Sequence, residues 1–206
     1  MAVTSFLEPA ALFHHRWSVP ILAELHRTGG SRFVILAHRL GVGPDSLRHT
    51  LKALTDHGWV MRNPGYGHPL RPEYILTPAG SALAPACAHL IKLLHSMEIE
   101  EAGLRKWSMP VLMSIQAGNR RFSDLKSSLA GITARALTMT LKDLRTTGLV
   151  TRTILEEYPP TARYTLTSQG RRLGRVLGKI ALDRRRKSIP ARRPCGSCLR
   201  IAIVPA

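Results

Sequence analysis

The chain has 206 residues, 44% of them apolar, with 30 lysines and arginines against 13 carboxylates and a formal charge of +17. That apolar share is enough for a packed core and argues against disorder over most of the length, while no apolar run approaches the roughly 18 residues a membrane-crossing helix needs. The excess positive charge points to a polyanionic partner, nucleic acid first and an acidic membrane surface second, unless the chain is simply a basic protein from a basic proteome.

The order of segments is set by an internal repeat. Arg16-Trp17-Ser18-Val19-Pro20-Ile21-Leu22 returns as Lys106-Trp107-Ser108-Met109-Pro110-Val111-Leu112, an offset of 90 residues. Arg32-Phe33 matches Arg121-Phe122 at an offset of 89, and the register returns to 90 at Leu47/Leu137, Leu51/Leu141, Leu54/Leu144, Gly58/Gly148, Arg62/Arg152, Tyr74/Tyr164, Leu76-Thr77/Leu166-Thr167 and Gly80/Gly170. A unit this long exceeds the roughly 20–50 residues of a solenoid repeat, so it reads as two domains.

Each copy predicts the same elements in the same order. Ser18 or Ser108 is placed to cap a first helix, with Pro20 or Pro110 in its first turn and an end near Gly29-Gly30 or Gly118. A second, short helix follows over Phe33–Leu40 and Phe122–Leu129. A third begins near Pro44 and near Thr133 and runs to the glycine at 58 or 148, a position just past a helix end. Two strands follow in each copy, Val60–Arg62 with Tyr74–Leu76 and Leu149–Ile154 with Ala162–Leu166, separated by turn-rich segments. Thr77 or Thr167 then caps a fourth helix. This is the order of a winged helix-turn-helix. The expected fold is mainly α with small β-wings: two tandem winged helix-turn-helix domains over residues 10–95 and 105–182, a linker over 96–104, and a loose basic tail over 183–206.

The third helix of each copy carries the candidate contacts. In the second copy Leu137, Leu141 and Leu144 form one buried stripe, and Arg135, Thr138, Met139, Lys142 and Arg145 lie off it, with Thr133 at the helix start. In the first copy Leu47, Leu51 and Leu54 form the stripe, and Asp45, Ser46, Arg48, His49 and Lys52 lie off it. A helix with an apolar back and a basic, hydrogen-bonding front suits the major groove, where arginine and lysine bond guanine O6 and N7 and threonine meets a base edge or a thymine methyl; the bland alternative is a solvated face. The first wing offers Tyr66, His68 and Arg71 for phosphate or minor-groove contact, whereas the second carries Glu156 and Glu157, which phosphate repels, with Arg163 behind them. Arg62 and Arg152, at strand starts, either reach phosphate or pair with local carboxylates.

The segment Lys106-Trp107-Ser108, Arg121-Phe122-Ser123-Asp124-Leu125, Gly131-Ile132-Thr133, Leu141-Lys142-Asp143-Leu144, Gly148-Leu149-Val150, Pro159-Pro160, Tyr164-Thr165-Leu166-Thr167 and Gly170 resembles the HxlR-type winged-helix regulators, relatives of the MarR group, over about residues 104–180. Residues 14–95 resemble the same family more weakly, with Gly41-Val42-Gly43 in place of Gly-Ile-Thr and Gly65-Tyr66-Gly67-His68-Pro69 in place of the Pro-Pro wing. The resemblance implies a bacterial-type transcription factor that binds double-stranded DNA, with the third helix in the major groove. It also implies one domain per chain in most members, pairing as homodimers through terminal helices, and responses to small molecules or, through a cysteine ahead of the first helix, to oxidants. Neither copy has a cysteine there.

Other chemistry is sparse. The carboxylates form no paired-acid, triad or phosphate-loop pattern, so an enzyme is a poor reading and no cofactor is expected. Cys195-Gly196-Ser197-Cys198 has CxxC spacing but no second ligand pair to complete a zinc site, Cys87 lies in an apolar helix, and the odd cysteine count fits a reducing cytosol. With no early basic region and Glu8 inside the apolar start, the N-terminus does not read as a secretory signal. The combined expectation is a cytoplasmic, nucleoid-associated DNA-binding regulator, a repressor acting as a pseudo-dimer within one chain or as a homodimer of such chains, with a small-molecule effector in the cleft between domains. Two readings compete with it: a nonspecific architectural or RNA-binding protein, and a winged-helix module that binds protein.

Overall fold

The computed structural model describes residues 11–63, 72–156, 158 and 160–187. The first copy runs α1 (Ser18–Thr28), α2 (Phe33–Leu40), α3 (Pro44–Asp56), β1 (Val60–Asn63), β2 (Glu73–Leu76) and α4 (Pro78–Ser96); after a one-turn helix, α5 (Glu100–Gly103), the second runs α6 (Ser108–Gln116), α7 (Phe122–Ser128), α8 (Ala134–Thr146), β3 (Val150–Leu155), β4 (Thr161–Leu166) and α9 (Ser168–Lys187). Each hairpin is antiparallel, with Arg62 opposite Tyr74 and Arg152 opposite Tyr164. A short third edge comes from the segment just ahead of α2 or α7, through the bridges Ser31 to Tyr74 and Arg121 to Arg163. The chain is therefore two winged helix-turn-helix modules in tandem, mostly helical with small β-hairpins.

The repeated leucines explain the repeated fold. Leu47, Leu51 and Leu54 on α3 and Leu137, Leu141 and Leu144 on α8 are buried, and the lysines and arginines between them are exposed. Both helices end the same way. Gly58 (φ 67°) and Gly148 (φ 68°) adopt the left-handed conformation. Their N–H groups donate to the carbonyls of Thr55 and Arg145, while those of Trp59 and Leu149 reach back to Leu54 and Leu144. This double closure satisfies the last carbonyls and turns the chain sharply into the wing.

A second repeated device ties the wing to the last helix. The Thr77 hydroxyl donates to the Gly58 carbonyl (2.6 Å) and accepts from the Gly80 N–H (3.1 Å); Thr167 does the same with Gly148 (2.7 Å) and Gly170 (3.1 Å). Gly80 and Gly170 are then pressed on the carbonyls of Trp59 and Leu149, where a Cβ would overlap. Only glycine lets the start of the fourth helix approach the wing so closely.

Two expectations need correction. Neither Ser18 nor Ser108 caps a helix: each is the first helical residue, behind Trp17 or Trp107, and is buried. Ser108 donates instead to the Ala102 carbonyl (2.5 Å), and the Ser18 hydroxyl has no hydrogen-bond partner among the described residues. Helix α9 also continues to Lys187, past the point at 183 where the sequence suggests a loose tail. Helices α4 and α9, at matching places in the two copies, pack against each other.

The glycine contact makes a discriminating prediction. Alanine in place of helical glycine ordinarily stabilises by roughly 0.5–1 kcal/mol, and Gly178→Ala, facing open space on α9, is expected to do so. Gly170→Ala is expected to destabilise by about 1–3 kcal/mol, since the Leu149 carbonyl must move. Urea unfolding of the two variants checks the opposite signs.

Candidate nucleic-acid interface

Helix α8 begins at Thr133, whose hydroxyl accepts from the Ala136 N–H (3.1 Å) as a side-chain cap. Its outer face presents Arg135, Thr138, Met139, Lys142 and Arg145, all exposed. The Thr138 hydroxyl donates back to the Ala134 carbonyl (2.9 Å), leaving its oxygen free to accept. Asp143, the one carboxylate on α8, is drawn to the other side by Arg105 (2.6 Å), which also bonds Glu101 (3.3 Å). Arg135, Lys142 and Arg145 have no carboxylate partner among the described residues.

Helix α3 has the same back and a different front. Gly43 stands where Thr133 caps α8 and has no side chain to accept a hydrogen bond; Pro44 at the first helical position partly replaces it. Asp45, Ser46, Arg48, His49 and Lys52 are exposed, as the sequence predicts. However, Arg48 is paired with Asp45 (2.7 Å) and Lys52 with Asp56 (2.7 Å).

The strands continue the contrast. Arg152 is exposed on β3, and Arg163 on β4 bridges to Arg121, so the root of the second wing gathers arginines from three segments. Sequence reasoning passes over Arg121 because it sits in a loop 42 positions before Arg163; only the bridge brings the two together. In the first module Arg62 is exposed on β1, but Glu73 takes the place of Arg163 and pairs with Arg32 (3.6 Å). Three carboxylates thus oppose cations on this face of the first module, Asp45, Asp56 and Glu73, where the second module has Arg135, Thr146 and Arg163. All three pairs are solvent-exposed and contribute little to stability. Their consequence is an outer third-helix face close to neutral in one module and strongly positive in the other.

The wing tips are only partly placed. Tyr66, His68 and Arg71 fall within 64–71, and Glu157 and Pro159 at their own positions, all outside the described residues; so do Cys195 and Cys198. In the second wing Glu156 is exposed, Ile154 is 61% exposed and Tyr158 fully so. Cys87, the one cysteine among the described residues, is buried on α4, and burial pushes its thiol up to about 12.

Comparison with known proteins gives one consistent result. The HxlR-like helix-turn-helix family profile matches twice, over residues 12–101 and 104–184. An uncharacterized HTH-type transcriptional regulator of Synechocystis is 31% identical over 106 residues, 52% of this chain and 76% of that protein. Another, of Methanothermobacter thermautotrophicus, is 38% identical over 75 residues, 36% of this chain and 57% of that protein. A crystal structure of a MarR-family regulator from Porphyromonas gingivalis superposes with a TM-score of 0.38 at 28% identity, covering 45% of this chain and 88% of that one.

Two outcomes are expected. Replacing Asp45 and Asp56 with Asn and Glu73 with Gln together should tighten binding to random-sequence duplex and steepen its salt dependence, by about 0.9 in log–log slope for each further phosphate neutralised; titrations at several salt concentrations measure this. Cys87, held as a neutral thiol near neutral pH, should resist iodoacetamide in the native protein and react once urea unfolds the chain.

Proposed function

Because the chain belongs to the HxlR-like helix-turn-helix family, whose members are transcriptional regulators rather than enzymes, we propose that it is a sequence-specific regulator of transcription that binds double-stranded DNA and represses by occupying an operator. Residues 10–95 and 105–182 act as its two functional units. Helix α8 reads the major groove through Arg135, Thr138, Met139, Lys142 and Arg145, with Thr133 and Arg152 on flanking phosphates and Arg163, beside Arg121, at the wing root. The observation that carries this is the set of cations on α8 left without carboxylate partners, set against the neutralised face of α3.

The two modules serve as an intrachain pseudo-dimer, with α4 and α9 as the pairing surface. Each third helix then meets one half-site, with centres about 10 bp apart. The half-sites differ because the surfaces differ: the operator is an imperfect palindrome with one strongly read half. Through Ser46, Arg48, His49, Lys52, Arg62, His68 and Arg71 the first module holds phosphate more than it reads bases. One chain supplies both modules, so one chain per operator is the expected stoichiometry; a homodimer would place four modules on a longer site. Such a protein works on the nucleoid, in the cytoplasm.

Selection from a random duplex pool tests this directly. A two-part motif with unequal information in its halves is expected; enrichment no better than nonspecific binding would favour an architectural protein, and no binding at all a protein-interaction module. On the selected operator, Arg135→Ala and Lys142→Ala should each cost about 1–3 kcal/mol if they make bidentate or equivalent base contacts. Arg48→Ala and Lys52→Ala should cost less than half as much, and equal losses from the two helices would refute the division of labour.

A further inference from the structure

A cavity of about 590 Å³ opens between α1 and α4. It lies within the first module, not in the cleft between modules where the sequence places an effector. Its volume is within the roughly 300–1,000 Å³ of small-molecule sites. The walls are apolar: Pro20 and Ala23 from α1, Leu40 from α2, and Pro85, Ala88 and Ile91 from α4.

Three features keep this gap open. Ala23 and Ala88 are short. Pro85, inside α4, has no N–H for the Ser81 carbonyl, and its ring crowds the preceding turn. At the matching places in the second module Met113, buried, stands for Ala23, and Gln116 lies on Gly174 with its Oε1 2.5 Å from where a Cβ would stand. A longer side chain therefore stands on α6 where the first module has an alanine on α1, and Gln116 reaches α9.

The mouth is cationic. Arg27 and Lys92 line it, with His26 and His89. Glu24 also lines it, but its carboxylate is bound by Arg27 (2.8 and 3.0 Å) and by Arg39 (2.9 Å), and those bonds hold it below the usual carboxylate range. It therefore stays ionised and is outweighed by two guanidiniums. Lys92 is exposed and has no ion-pair partner among the described residues. At the sequence positions that match Arg27 and Lys92 the second copy has Ala117 and Leu182.

We propose that this cavity is a binding site for a compact amphipathic organic acid, its hydrocarbon body against Ala23, Leu40, Ala88 and Ile91 and its acid group at Lys92 and Arg27. Occupancy sets the separation of α1 and α4. Because α4 packs on α9, the ligand adjusts how the second module is held; this last step rests on the DNA-binding reading above, whereas the site itself does not.

The test is a fluorescence titration of the full chain, without DNA, using 1-anilinonaphthalene-8-sulfonate as the probe acid. One saturable site is expected. Ala23→Met, which installs the residue of the second module, and Ala88→Trp should each weaken it by about tenfold or more, equivalent to at least 1.4 kcal/mol. Lys92→Glu should also weaken it, while Gly178→Trp, at the position matching Ala88, should leave it unchanged. Circular dichroism confirms that each variant is folded, and Ala23→Met is conservative enough to keep the test valid if Ala88→Trp does not fold. Absence of a saturable site, or equal binding by wild type and Ala23→Met, overturns the site. Equal affinity for the uncharged N-phenyl-1-naphthylamine, with no effect of Lys92→Glu, overturns its preference for an acid. Whether the probe alters operator affinity is read in a separate titration, so a failure to bind DNA leaves the cavity result standing.

Discussion

The packing of α4 against α9 is the constraint on which the rest of the molecule depends. Each is the last helix of its module, and each is fastened to its own wing by a threonine hydroxyl and a glycine pressed on a carbonyl. Each wing is in turn fastened to its own third helix by a left-handed glycine and two reverse hydrogen bonds. The path from one third helix to the other therefore runs through short, repeated links and the α4–α9 contact. Were the two modules separate chains, this packing would depend on concentration. Within one chain the second module is always near, so the pairing costs little further association entropy and tolerates divergence between its halves.

Divergence has gone furthest where the core does not constrain it. Inside, the copies exchange like for like: Val42 for Ile132, and leucine for leucine along α3 and α8. Between the first and second helices the exchange is chemical but still matched. The Glu24–Arg39 ion pair of the first module (2.9 Å) stands where Ser114 and Ser128 share a hydrogen bond (2.6 Å) in the second. Each solution leaves no unpaired charge between the helices, and replacing only one partner would. On the outer face no such pairing rule holds, and three cations of one copy sit beside carboxylates that the other lacks.

The fold was largely legible in the sequence because its signals are local and occur twice. Leucine spacing, the glycines at 58 and 148 and the threonine caps at 77 and 167 each have a short-range physical cause, and agreement between copies cancels accidents. The serines misled for a related reason. Ser18 and Ser108 have the residue type of a cap, but burial of the whole first turn puts tryptophan at that position instead. The interface was legible in part. The i,i+3 and i,i+4 spacings of Asp45 with Arg48 and Asp56 with Lys52 stood in the sequence as pairing signals. By contrast, Arg32 with Glu73 and Arg121 with Arg163 meet only after a hairpin has formed. The cavity was not legible at all, since it arises where Ala23 on one helix meets Pro85 and Ala88 on another far along the chain, residues unremarkable singly.

These asymmetries have a common direction. A module that must read bases needs uncompensated cations on a rigid helix, and a rigid helix needs a filled core behind it. In the second module Met113 is buried and Gln116 lies on Gly174, behind a front whose cations have no carboxylate partner among the described residues. Under the proposed division of labour, a module that only holds phosphate and positions its neighbour can neutralise its front and leave a gap behind it without loss to recognition. On the proposed reading, duplication removes the conflict between tight packing for readout and open space for a ligand by assigning them to different copies, with the α4–α9 packing as the route between them. Coupling of this kind requires only that the ligand bind one separation of α1 and α4 better than another, since a ligand indifferent to that separation shifts nothing however tightly it binds.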